Sequence, residues 1–122
     1  MYKQDYIMRQ IRNLVRFLSK IFLNKDIPIY QLPDTGEYTD TDYLYKELLF
    51  LLNQGKINEA ENLLFENLDP GNKKYIELAL DFYEKINNFS DDYLSENNFT
   101  RKEIEEGLKE LSKKLGLKMF FS

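Results

Sequence analysis

Four cations near the start of the chain, Arg9, Arg12, Arg16 and Lys20, recur at spacings of three and four residues. That spacing lines them along one side of an α-helix, where they can follow phosphates, face an anionic surface or pair with acids of the same chain. A second cluster, Asp34, Glu37, Asp40 and Asp42, offers carboxylates, the groups used for acid-base work or for hard cations. It lacks the acid-x-acid-x-acid-Gly order of a Ca²⁺ loop, so turn acids and helix caps are its expected use. Between the clusters, Leu32-Pro33-Asp34-Thr35-Gly36 matches the cell-wall sorting pentapeptide, and its Asp-Thr-Gly matches the aspartic-protease triplet. Sorting also needs an export signal ahead and an apolar anchor with a basic tail directly behind. The protease needs a second Asp on a strand-rich scaffold. Neither context accompanies the pentapeptide, which reads as an ordinary Pro-Asp-x-Gly turn.

The 122 residues contain no Cys and no His. Disulfides, thiol nucleophiles, the common Zn sites and every imidazole relay are therefore excluded. No catalytic residue, cofactor or metal is expected. Residues 1–25 hold six cations against Asp5 alone, a net +5, and the chain totals −4, so the other 97 residues carry −9. The basic helix is thus attracted either to its own acidic body or to an external anion. With only one basic face on an acidic chain, nucleic acid is not expected as a partner.

The elements that position these groups follow from periodicity and punctuation. Only five Gly and three Pro occur, and they cluster. IPIYQL at 27–32 holds Pro28 and runs into Pro33, which makes it an extended connector and not a strand. The class expected is all-α, five to six helices in one domain: a basic amphipathic helix within 1–25, a surface connector over 26–41 and a helical body over 42–122.

In the first helix, predicted from Gln4 to Leu23, Ile7, Ile11, Leu14, Leu18 and Phe22 share a face widened by Met8, Val15 and Ile21. Ile11, Leu14 and Leu18 are candidates for the buried or docking face, opposite the cationic one. Asp40 or Thr41 should cap a second helix to Gln54, apolar nearly all round and hence expected to be the most buried. Gly55 ends it, and KINEAENLLFENL at 56–68 should return antiparallel with Ala60 at the close contact. A wide apolar face predicts a fourth helix from Lys73 to Ile86. Ser90 caps a short turn, and Thr100 with Glu103 forms a capping box for a last helix to Leu115, stopped by Gly116. Beyond it, Leu117, Met119, Phe120 and Phe121 should fold back on the core or meet another chain.

The hairpin, with Gly55-Lys56-Ile57-Asn58-Glu59-Ala60 at its turn and Asp69-Pro70 closing it, resembles one tetratricopeptide repeat. No second copy follows at the repeat spacing, so a repeat array is not expected. The opening Asp5-Tyr6-Ile7-Met8-Arg9 resembles a family of small uncharacterised bacterial helical proteins with such an amphipathic start and a tetratricopeptide-like hairpin. That resemblance implies a bacterial cytoplasmic setting and carries no activity. The expected role is a non-enzymatic protein-protein interaction module that self-associates, as a homodimer, or binds a protein partner. The alternative is a peripheral protein that docks on a membrane surface through the basic helix.

If the pentapeptide is only a turn, replacing Asp34 and Thr35 together by Ala should change unfolding stability by less than about 0.5 kcal/mol in a urea titration. Loss of a peptidase activity or of a sortase-dependent attachment in that variant would contradict the turn assignment.

Overall fold

The helix Lys73–Asn87 lies at the centre of the molecule, with Tyr75, Ile76, Leu78, Ala79, Leu80, Phe82, Tyr83 and Ile86 all buried. The computed structural model describes residues 2–117, and the predicted contacts of Met119, Phe120 and Phe121 lie outside the described residues. Among these, six helices and no strand occur: α1 (Tyr2–Leu23), α2 (Asp40–Asn53), α3 (Ile57–Glu66), α4 (Lys73–Asn87), α5 (Asp91–Glu96) and α6 (Arg101–Lys114). No helix among the described residues is long and apolar enough to cross a membrane.

Local signals account for the boundaries. Thr39 caps α2 through a reciprocal box with Asp42, one residue ahead of the predicted cap, so the helix begins at Asp40 within the span assigned to the connector. Asn72 caps α4 by accepting from the backbone of Lys74 and Tyr75, and Ser90 caps α5. Thr100 and Glu103 form the predicted box on α6. At the end of α6 the Leu117 N–H donates to Ser112 O and the Gly116 N–H to Lys113 O, with Gly116 at φ 111°. This is a Schellman closure, which only a residue free of a Cβ adopts without strain.

α4 packs against α1, α2 and α6, and α1 also packs on α6. Asn87 Nδ2 donates to Met8 O near one end of α4, while Lys25 reaches Glu77 near the other, so α1 and α4 run antiparallel. Arg101 contacts the Asn87 carbonyl, and Gly107 lies beside Tyr83, so α6 is also antiparallel to α4 and runs alongside α1. α2 and α3 form the antiparallel hairpin, turned by Gly55 at φ 76°.

The burial predicted for α2 belongs instead to α4. α2 packs chiefly on α3 and α4, which leaves its outer side open: Tyr43 and Phe50 are both more than half exposed. A helix flanked on three sides can bury nearly every residue, whereas one at the edge cannot, however apolar its sequence.

Ala60 is fully buried in the hairpin. Ala60→Leu should overpack it and lower stability by about 1–3 kcal/mol, read from the urea midpoint.

Candidate interaction surface

α1 presents three arcs. At about 100° per residue, Ile11, Val15, Leu18 and Ser19 share one arc, and all four are buried against α4 and α6. Arg9, Arg12, Arg16 and Lys20 share the next. The third holds Tyr6, Leu14, Phe17 and Ile21. Tyr6, Phe17 and Ile21 are exposed, Ile21 to 48%, and Leu14 is half-buried.

The candidate apolar face Ile11, Leu14, Leu18 therefore divides. Ile11 and Leu18 are core and unavailable to a partner, while Leu14 lies at the edge of the exposed strip. The helix is turned toward Val15 and Ser19 relative to expectation, because α4 and α6 cover one arc and the full apolar width of α1 exceeds what two neighbours reach. Beside the strip, Gln10, Asn13, Leu14 and Phe17 of α1 with Glu105 and Lys109 of α6 line a groove of about 430 Å³.

The basic face points away from this groove. Arg16 Nη2 lies 3.9 Å from Glu84, and Lys20 Nζ 3.6 Å from Asp26, both partly exposed pairs of small energetic weight. Arg9 is exposed and Arg12 half-buried. Part of the charge asymmetry of the sequence is thus met within the chain. The α1–α4 seam also contains orphans: Ser19 Oγ, Glu84 Oε1 and Asn87 Oδ1 are buried and have no hydrogen-bond partner among the described residues.

The connector differs from its prediction. Read as a surface segment, it instead buries Pro28 and Tyr30. The Tyr30 N–H donates to Asp81 Oδ2 at 2.8 Å, and its hydroxyl donates to Asp42 Oδ1. Asp81 also accepts from the Tyr45 hydroxyl at 3.0 Å and pairs with Lys85 at 3.3 Å. Asp42, expected to serve as a solvated turn acid or a helix cap, does close the capping box of α2, but it is fully buried and accepts in addition from the Thr39 N–H, the Thr39 hydroxyl and Lys74. Glu77 completes the row, taking Lys25 at 2.9 Å and the Ile29 N–H at 3.2 Å.

These acids are placed like catalytic groups, in a partly buried cluster with tyrosines and lysines, but their oxygens are already occupied. Burial alone would raise the Asp42 carboxyl; hydrogen bonds from Tyr30, Thr39 and Lys74 outweigh it and hold the group well below the usual carboxylate range. Burial, reinforced by Asp42, raises the Tyr30 hydroxyl above its ordinary value. Both shifts keep the acid charged and the phenol protonated near neutrality, which suits a clasp and opposes proton transfer. No group of three or more potential metal ligands is assembled among the described residues.

Sequence reasoning missed two further polar anchors. Arg101 is buried and donates to the carbonyls of Asn87 and Phe89, both at 2.6 Å, and to Asp91 at 2.9 Å, so it closes the C-terminus of α4. Glu61 accepts from the Tyr83 hydroxyl where α3 meets α6, and a Cβ on Gly107 would collide with both groups. Asp81 was detectable in principle, because it interrupts the apolar run LALDFY on a helix whose neighbours are all buried.

Residues 1–116 match the model of a family of unknown function, DUF6483, so the chain belongs to that family. No curated protein and no solved structure matches it.

Two outcomes follow for the clasp. Tyr30→Phe removes one donor from buried Asp42 and should cost about 1–3 kcal/mol in urea unfolding. With its folded pKa depressed, ionised Asp42 contributes stability that is complete above the unfolded value near 3.9 and is lost as pH falls through the folded one. The urea midpoint should therefore decline below about pH 4, and Asp42→Asn should flatten that decline while lowering the midpoint at pH 7.

Proposed function

We propose that this member of a family of unknown function is a non-enzymatic helical protein-protein interaction module, acting in the cytoplasm, that associates with a second copy of itself through the outer strip of α1. The observation that carries the reading is the division of α1 into two apolar arcs, of which the core uses one. Tyr6, Phe17 and Ile21 stand on the other. A small domain gains nothing in its own stability from keeping three large apolar side chains along one exposed helix face, and such strips are typical of docking surfaces. Pairing two α1 strips would bury them reciprocally, as a two-fold contact requires. The occupied oxygens of Asp42 and Asp81 support the absence of catalysis at the most enzyme-like cluster.

Docking on an anionic membrane draws on the same helix, and its requirement differs. An interfacial helix places its apolar face toward lipid with cations flanking it. Here the most apolar arc is committed to α4 and α6, and Arg16 and Lys20 have acids of their own chain beside them. Protein association is the better-supported reading.

Light scattering of the full chain should report a dimer. Ile21→Asp should yield a folded monomer by circular dichroism, whereas Val15→Asp, placed in the buried arc, should unfold the chain, since it buries an unpaired charge. A wild-type chain monomeric at every concentration would refute self-association. If Arg9, Arg12 and Arg16 replaced together by Gln abolished co-sedimentation with anionic vesicles, the membrane reading would take its place.

A further inference from the structure

The outer face of α2 carries a pattern of its own. At about 100° per residue, Tyr43, Lys46, Glu47 and Phe50 fall within one arc about 100° wide. All four are exposed, Tyr43 to 59% and Phe50 to 58%. Tyr38, just ahead of the helix, meets Tyr43 edge-on, and Lys46 Nζ lies 4.9 Å from the centre of the Tyr38 ring, so both side chains are held on this face. Lys46 and Glu47 are neighbours in sequence, and adjacent helical residues do not face each other, so their charges do not pair within the helix. Neither has an ion-pair partner elsewhere among the described residues.

The four residues share one midpoint. Tyr43 and Phe50 lie equally far on either side of the Lys46–Glu47 pair. A second α2 laid antiparallel about that point puts Tyr43 on Phe50 of the other copy and Lys46 on its Glu47, each twice, as a two-fold axis demands. The face is thus complementary in charge to its own reverse. The ends agree: Asp40 opens α2 and Lys56 follows its last turn, both exposed, and the antiparallel arrangement brings the acidic end of one helix toward the cationic end of the other. A parallel pairing sets Lys46 on Lys46 and Glu47 on Glu47, which like charges oppose. An anionic lipid surface meets Glu47 and Asp40 instead of a cationic face.

We propose that the outer face of α2 forms a second two-fold contact between copies of this chain, with the two helices antiparallel, Tyr43 against Phe50 and Lys46 against Glu47 of the other copy. It goes beyond the α1 strip and does not rest on it. Two unlike two-fold contacts on one chain extend a dimer into a larger assembly. The α2 contact is the weaker of the two, because the charges at its centre give up water when they pair.

Ile21→Asp, which removes the α1 contact, supplies the background for the test. That chain should be monomeric when dilute and dimeric as light scattering is carried toward about 1 mM. Adding Lys46→Glu or Glu47→Lys should weaken this dimer about tenfold or more with circular dichroism unchanged, since each sets like charges opposite one another twice. An equimolar mixture of the two variants should associate again, and so should a chain carrying both exchanges, because each restores opposite charges across the axis. An Ile21→Asp chain monomeric at every concentration would overturn the α2 contact and leave the α1 reading intact. Exchanges without effect, or a mixture that stays monomeric, would overturn the α2 contact as well. If Ile21→Asp leaves the dilute dimer whole and Phe50→Asp dissolves it, the α2 contact stands and the α1 reading falls.

Discussion

Burying Asp42 and Asp81 is the constraint around which the rest of the molecule is arranged. An isolated carboxylate in a protein interior costs several kcal/mol, and the chain avoids that cost only if each oxygen meets donors. The donors come from three separate places: the backbone and hydroxyl groups of Tyr30 and Thr39 ahead of α2, the Tyr45 hydroxyl on α2, and Lys74 and Lys85 on α4. None of these is local to all the others. Satisfying both acids therefore fixes the course of a segment that has no secondary structure of its own, and with it the position at which α2 starts relative to the end of α1.

The orientation of α1 is held at its C-terminal end by the same row of acids, through Lys25 on Glu77. Along its length it is held by apolar packing of Ile11, Val15 and Leu18, each worth about 1.5–3 kcal/mol in transfer free energy. The polar atoms of that seam are less well served, since Ser19 Oγ and Asn87 Oδ1 lack partners among the described residues. Apolar burial therefore holds the middle of α1, and charged hydrogen bonds hold the segment that follows it. Phe17 and Ile21 stand on a different arc of α1 from Ile11, Val15 and Leu18.

The element order, the hairpin and the caps at Ser90, Thr100 and Gly116 could be read from residue types alone, because capping boxes, a Gly at a left-handed turn and a 3.6-residue apolar period act through neighbours within a turn or two. Thr39 was displaced by one residue because Asp40 and Thr41 are equally good caps locally. What separates them is the reciprocal bond with Asp42, an acid that is buried for reasons lying outside α2.

Composition and periodicity thus determined that the chain is helical, lacks imidazole and thiol chemistry, and carries a helix with one cationic face. Which apolar arc of α1 would be covered, which helix would be central, and which acids would be interior depended on assembly. An arc more than half the circumference wide satisfies the same periodicity in several rotations, and only the placement of α4 and α6 selects one. An acid in a turn and an acid in a clasp look alike in sequence, because the difference rests on Tyr30, a donor 12 positions from Asp42 and 51 from Asp81.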